Sequence, residues 1–268
     1  MTITSDTALY DSTGRRHETD GADPVKGARV AITGGTSGLG LALVRELLGR
    51  GARVAFVART REHVERLARE QRGAHGIVGD ISSKDDIYPI AMQVVGSLGG
   101  LDVLINNASD LGPVPLQMLS DTECEDLERA FSTNVIGPFR LTKALMGALA
   151  ASAREGRGAV VLNITSDAAI NPYPGWGAYG ASKAALHHLS RIWGEEHAAD
   201  GVRFLSLDPG DMDTPMHAAA VPDADPATLK RPETSARELA DAIAHALPRR
   251  GASSVPLTTV SEVEGVSR

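Results

Sequence analysis

Tyr179-Gly180-Ala181-Ser182-Lys183 sets a phenol and an amine four residues apart, a spacing that puts both side chains on one face of a helix. A free tyrosine gives up its proton only near pH ~10 and is a poor base at neutrality. An ammonium beside it favours the phenolate and lowers that value, which is the tuning that general acid–base chemistry needs. Tyr-x-x-x-Lys is common by chance, so the pair needs support. Ser166 supplies it: the residue ends an apolar run, thirteen residues before Tyr179, and its hydroxyl can orient a substrate oxygen toward the phenol. Competing chemistries find less. His187 and His188 belong to no His-Glu-x-x-His or Cys/His cluster, so no metal site is expected. Ser166 with Asp167 lacks the Gly-x-Ser-x-Gly elbow of a hydrolase.

A second motif precedes these groups by more than a hundred residues. Thr33-Gly34-Gly35-Thr36-Ser37-Gly38-Leu39-Gly40 follows an apolar run and opens a helical one. Glycines there allow a tight turn and close backbone approach, and the unpaired amides of the helix start can receive a pyrophosphate.

The elements that must position both motifs are legible as an alternation. Strands are predicted at 29–33, 53–58, 75–79, 103–106, 159–165 and 202–207, with helices at 39–49, 61–72, 83–98, 121–151 and 178–199. Strand–helix alternation of this kind means parallel strands joined by right-handed crossovers, hence a doubly wound α/β sheet in a single domain. Residues 1–26 are polar and without periodicity and are predicted to be a flexible leader, with the domain running over 27–268. An irregular flap is expected at about 211–232, then a helix at 232–247 and an edge strand at 253–260.

Composition narrows the function classes. With 268 residues, 42 % apolar and 23 % charged, the chain can bury a full core. A net charge of −7 argues against nucleic acid or an anionic membrane as the main partner. No apolar run approaches the ~20 residues of a membrane span. The one cysteine, Cys124, forms no internal disulfide, and a cytoplasmic location is expected.

In their order along the chain, TGGTSGLG at 33–40, NNAS at 106–109, Asn134, Ser166, Tyr179 with Lys183, and DPG at 208–210 are together highly specific. On them the chain resembles the short-chain dehydrogenase/reductase family in its compact single-domain form, continuously from Lys26 to about Thr214. The resemblance implies a Rossmann fold and an oxidoreductase that moves hydride between nicotinamide and a ketone or secondary alcohol of a small or medium-sized molecule. It implies Asn134, Ser166, Tyr179 and Lys183 as the catalytic quartet. Asn134 would hold a water touching Lys183 through its backbone, or else act only as a buried polar residue. The same scaffold also admits an imine reductase, a redox-neutral epimerase or a non-catalytic NADP-binding sensor.

For the cofactor, the resemblance places Gly34, Thr36, Ser37, Gly38, Leu39 and Gly40 around the pyrophosphate. Asp80 and Ile81 fall at the adenine, and Asn107 and Ala108 line the cofactor beside Tyr179 and Lys183. Pro209, Gly210, Met212 and Thr214 fall at the nicotinamide, with Thr214 contacting its carboxamide. The second strand ends in Ala58-Arg59, where NAD-preferring members carry an acid for the ribose hydroxyls. A guanidinium there pairs with a 2′-phosphate, so NADP(H) is preferred and NAD(H) remains possible. Asp80 could instead cap the next helix, although Ser82 is better suited to that. Ser109 stands where glycine is usual.

Asp167, Pro172, Tyr173 and Trp176, between Ser166 and Tyr179, are expected to border the substrate, with Met216 closing it from the flap. Asp211 and Asp213 are read first as caps of a flap helix. An acid there that faced the pocket would favour a substrate with an amine or several hydroxyls. A homodimer or homotetramer is the expected assembly.

Overall fold

The computed structural model describes residues 23–248. Six strands, β1 (Arg29–Thr33), β2 (Arg53–Ala58), β3 (Ala74–Val78), β4 (Val103–Asn106), β5 (Ala159–Ile164) and β6 (Val202–Leu207), form one parallel sheet in the order β3-β2-β1-β4-β5-β6. The order reverses between β1 and β4, and a parallel sheet opens a ligand crevice at such a switch point, beyond the carboxyl ends of its strands. This is the doubly wound α/β, Rossmann-type sheet expected from the alternation, in one continuous domain.

The strands are apolar on both faces because helices cover both. Val30 and Ile32 of β1, with Val54 and Phe56 of β2, face a core built with α1 (Gly38–Gly49), α2 (Arg61–Glu70) and α8 (Pro232–Ala246). The intervening Ala31, Ala55 and Val57 face the other core, against α3 (Lys84–Leu98) and α5 (Gly137–Arg154). The period-2 alternation therefore feeds two apolar layers rather than one wet and one dry face. Among the described residues no helix is long and apolar enough to cross a membrane.

Four expectations change. The helix predicted over 121–151 is interrupted: α4 (Cys124–Phe131) passes through a π-helical turn at Ser132–Ile136 before α5 begins. The Gly137 amide donates to the Ser132 carbonyl, five residues back. Pro138, second in α5, has no N–H to give to the Asn134 carbonyl, its partner in a regular α-helix. The flap is also more regular than expected. It carries α7 (Pro215–Ala220) and a bridge between Met212 and Lys230. Residues 23–26 belong to the folded unit, with Val25 fully buried, so the boundary expected after Lys26 falls earlier. Ser83, not Ser82, stands at the N-terminus of α3. The rest of the leader and the strand expected at 253–260 lie outside the described residues.

The opposite edge of the sheet is closed by charge. Asp102, fully buried just before β4, accepts from the Arg29 side chain (2.6 Å), from Arg157 (2.8 Å) and from Ser152 (2.6 Å). Burial by itself would push this carboxyl up, but the Arg157, Arg29 and Ser152 hydrogen bonds prevail and hold it well below the usual carboxylate range.

Candidate active site

At the carboxyl ends of the strands a cavity of about 810 Å³ runs along the crevice. α6 (Gly177–Glu196) carries Tyr179 and Lys183 to its wall, and β5 delivers Ser166 through Thr165. Gly180 makes their meeting possible. A Cβ there would lie 2.9 Å from the Ala168 carbonyl, so only glycine lets α6 lie so close to the loop that follows Ser166.

Lys183 is 2 % exposed, and its Nζ donates to the Ile164 carbonyl (2.8 Å), 5.5 Å from the centre of the Tyr179 ring. Burial lowers its amine to about 8, with Asp208 opposing. Tyr179 shifts the other way. Burial pushes its phenol up to about 12; a hydrogen bond with Ser166 lowers it, and the charges of Asp208, Asp167 and Asp211 raise it further. An ammonium that is itself desolvated and held by a carbonyl does not offset burial and three carboxylates.

Asn134 is fully buried, and its amide serves the fold. Its Oδ1 accepts from the Asp110 amide (2.7 Å) and the Ser109 hydroxyl (3.1 Å), while its Nδ2 donates to the Asp110 carbonyl (2.7 Å) and Ser182 Oγ (2.8 Å). Ser109 thus has a use as serine. Any contribution of Asn134 to proton movement falls to its main-chain carbonyl in the π turn. Ser182, which also donates to the Tyr179 carbonyl (2.6 Å), ties that turn to α6 and was missed by sequence reasoning. Its one signal was a small polar residue inside a buried helix face.

The other end of the cavity is shaped by glycine. A Cβ on Gly40 would overlap the Gly34 carbonyl oxygen, and one on Gly34 would lie 2.9 Å from the Ala108 backbone. The Asn107 amide group donates to the Thr33 carbonyl (2.8 Å), and the Thr33 hydroxyl accepts from the main-chain amides of Asn107 and Ala108. These bonds leave a floor of bare backbone. Thr36, Ser37, Gly38, Leu39, Ala108, Asp80 and Ile81 line it, as does Arg59, which has no ion-pair partner among the described residues. One Asp80 oxygen accepts from Ser82 (2.7 and 2.9 Å). His63, one turn into α2, also faces the cavity and was not foreseen.

Of the residues expected at the substrate, Asp167, Tyr173, Trp176, Asp211 and Met216 line the cavity, together with Pro209, Gly210, Met212 and Thr214. Pro172 does not line it. The capping expected of Asp211 and Asp213 is not found: Thr214 Oγ1 caps α7 by accepting from the His217 amide (3.2 Å), and Asp213 pairs with Arg231 (3.2 Å). Asp211 is left on the cavity wall.

A parallel sheet with a glycine-lined crevice and a serine, tyrosine and lysine gathered at one end defines a dinucleotide-type oxidoreductase scaffold. The family model for short chain dehydrogenases matches residues 28–225, and the chain belongs to that family. An uncharacterised oxidoreductase of Mycobacterium bovis is 36 % identical over 239 residues, covering 86 % of this chain and 68 % of that protein. Among solved structures, a 3-ketoacyl-(acyl-carrier-protein) reductase from Brucella melitensis complexed with NADH superposes with a TM-score of 0.75 at 28 % identity, over 81 % of this chain and 90 % of that one. Actinorhodin polyketide ketoreductase with NADPH gives 0.72 at 27 % identity, over 81 % and 90 %.

Proposed function

We propose that this chain reduces ketones, or oxidises the corresponding secondary alcohols, with NADP(H), and that Tyr179 gives or takes the proton. One observation carries the reading: the Ser166 hydroxyl, the Tyr179 phenol and the Lys183 amine line one end of a cavity whose other end is glycine-lined and carries Arg59. The residues fit a dinucleotide: Gly34, Thr36, Ser37, Gly38 and Leu39 line the cavity where a turn leads into α1, Gly40 lies behind them and does not line it, its missing side chain letting the helix pack on the Gly34 carbonyl, and Arg59 is open to a 2′-phosphate. Ala58 supplies no acid against that phosphate.

When bound, the nicotinamide supplies or accepts the hydride. Ser166 holds the substrate oxygen and stabilises the negative charge that develops there. Tyr179 donates its proton to that oxygen in reduction and recovers it through Lys183 and the Asn134 carbonyl. A phenol raised to about 12 keeps its proton throughout the neutral range, the form that reduction requires. Assembly as a homodimer or homotetramer belongs to the same proposal; Leu127, Ile136, Phe139 and Ile192 are exposed apolar residues on the α4–α6 side.

The test is a panel of ketones and alcohols with NADPH, NADH and their oxidised forms, followed by nicotinamide absorbance. Ketone-dependent consumption of NADPH is the expected result. Tight NADPH binding without turnover of any ketone or alcohol would refute the enzymatic reading.

A further inference from the structure

We infer that the substrate carries an ammonium group close to the carbonyl or alcohol carbon that reacts, recognised by Asp167 and Asp211 beside the rings of Tyr173 and Trp176. The inference rests on the oxidoreductase reading above and names the substrate class of that site.

Asp167, Asp208 and Asp211 all line the catalytic end of the cavity. None has a strong cationic partner among the described residues. Asp167 accepts from neutral donors, the Tyr173 hydroxyl (2.6 Å) and the Ser166 hydroxyl (3.1 Å) with the Ala168 amide and the Asn171 side chain, and these hold its carboxyl below its ordinary value. Asp208 accepts from the Gly210 amide (2.9 Å). Asp211 has His217 at 4.0 Å and no other ion-pair partner among the described residues; all three acids are exposed at the mouth of the cavity, where a ligand entering from solvent meets them. The neighbouring acids differ: Asp110 has Arg129 at 3.3 Å, and Asp213 has Arg231.

The cavity's own cations do not balance this charge. Lys183 is buried against the Ile164 carbonyl with a lowered proton affinity. Arg59 follows β2, three strand spacings from β5 and four from β6, which is roughly 14 to 19 Å and about two Debye lengths at physiological salt. The three carboxylates also act on Tyr179, so their field reaches the reacting oxygen.

The walls hold further sign of a polar ligand. Among the described residues the hydroxyl of Thr165, 7 % exposed, has no hydrogen-bond partner, nor has the buried Nδ1 of His217; both residues line the cavity. An ammonium offers three donors to carboxylates and is attracted to the faces of Trp and Tyr, and Trp176 and Tyr173 stand on this wall. A polyol would satisfy the hydrogen bonds but leave the charge unbalanced. An anionic substrate would be repelled.

The experiment compares three matched ketones with NADPH: one with a terminal primary ammonium, its N-acetyl derivative, and the analogue with hydroxyl in place of the ammonium. The wild-type protein is expected to favour the ammonium ketone over both in kcat/KM by about tenfold or more. That ratio should fall toward one in Asp211→Asn and Asp167→Asn, and should shrink with added salt. As a readout independent of turnover, calorimetric titration of the NADPH-loaded protein should show pentylammonium binding more tightly than pentanol, with the difference lost in Asp211→Asn. Equal or better reduction of the acetylated or hydroxylated ketone overturns this inference alone. So does a preference that survives in both variants. A wild-type protein that reduces no ketone at all overturns this inference together with the reading beneath it.

Discussion

Aspartates occupy both ends of this sheet, in opposite circumstances. At the amino-terminal edge Asp102 is fully buried and bound by two arginines and a serine. At the carboxyl edge Asp167, Asp208 and Asp211 stand at a cavity and accept only from neutral donors or a distant histidine. The first arrangement satisfies its charge internally and closes the fold. The second leaves its carboxylates to solvent at the mouth of the cavity. Among residues of one type, the completeness of the partner set separates an acid that closes the fold from one that a ligand can reach.

The largest effect should come from the open end. Tyr179→Phe removes the proton donor and is expected to cut kcat by about 10²- to 10⁴-fold while NADPH still binds. Retained turnover would break the assignment.

At the closed end, Asp102→Ala leaves two arginines facing a hole. It should cost about 3–5 kcal/mol of unfolding free energy by denaturant titration, while the folded fraction keeps its activity. A smaller stability loss with a large loss of turnover would invert the comparison.

Between these lies Lys183, whose amine is lowered from 10.5 to about 8 by burial. Between pH 8 and 10.5 the unfolded chain holds this proton and the folded protein has released it. Stability of the cofactor-free protein should therefore rise with pH across that window, by up to about 3 kcal/mol, with no contribution from this group to the slope below about pH 8, where both states hold the proton. Lys183→Met should remove that rise. Tyr179 acts in the other direction: its folded form keeps the proton from 10 to about 12 after the unfolded chain has lost it, so its contribution is lost over that range. Identical pH profiles for wild type and Lys183→Met would show that the amine is not desolvated as described.

The smallest effect is expected at Arg59, which is exposed and has no ion-pair partner among the described residues. Arg59→Ala should raise KM for NADPH by roughly tenfold and leave NADH kinetics nearly unchanged. A wild-type preference for NADH that persists in the variant would remove the 2′-phosphate role.

Much of this was legible in the sequence because it is local. The strand order of elements follows from alternating apolar runs, and the glycines at 34 and 40 announce a backbone that something must approach closely. The spacing of Tyr179 and Lys183 follows from helical periodicity alone. The π turn was hidden because the amphipathic pattern runs through it unbroken; only Pro138, lacking a donor for Asn134, marked the place.

By itself the sequence determined the strand–helix alternation of a doubly wound sheet, the glycine turn after β1 and the shared face of Tyr179 and Lys183, since periodicity and turn chemistry act over a few residues; the strand order, and which side chains reach the crevice, came from the fold. The direction in which Tyr179 shifts was a tertiary matter. So was the release of Asp211 from capping, and the gathering of Asp167, Asp208 and Asp211 around one cavity. Desolvation and nearby charge depend on what packs around a group in space, and neighbours from β5, α6 and the turn after β6 meet only once the chain has folded.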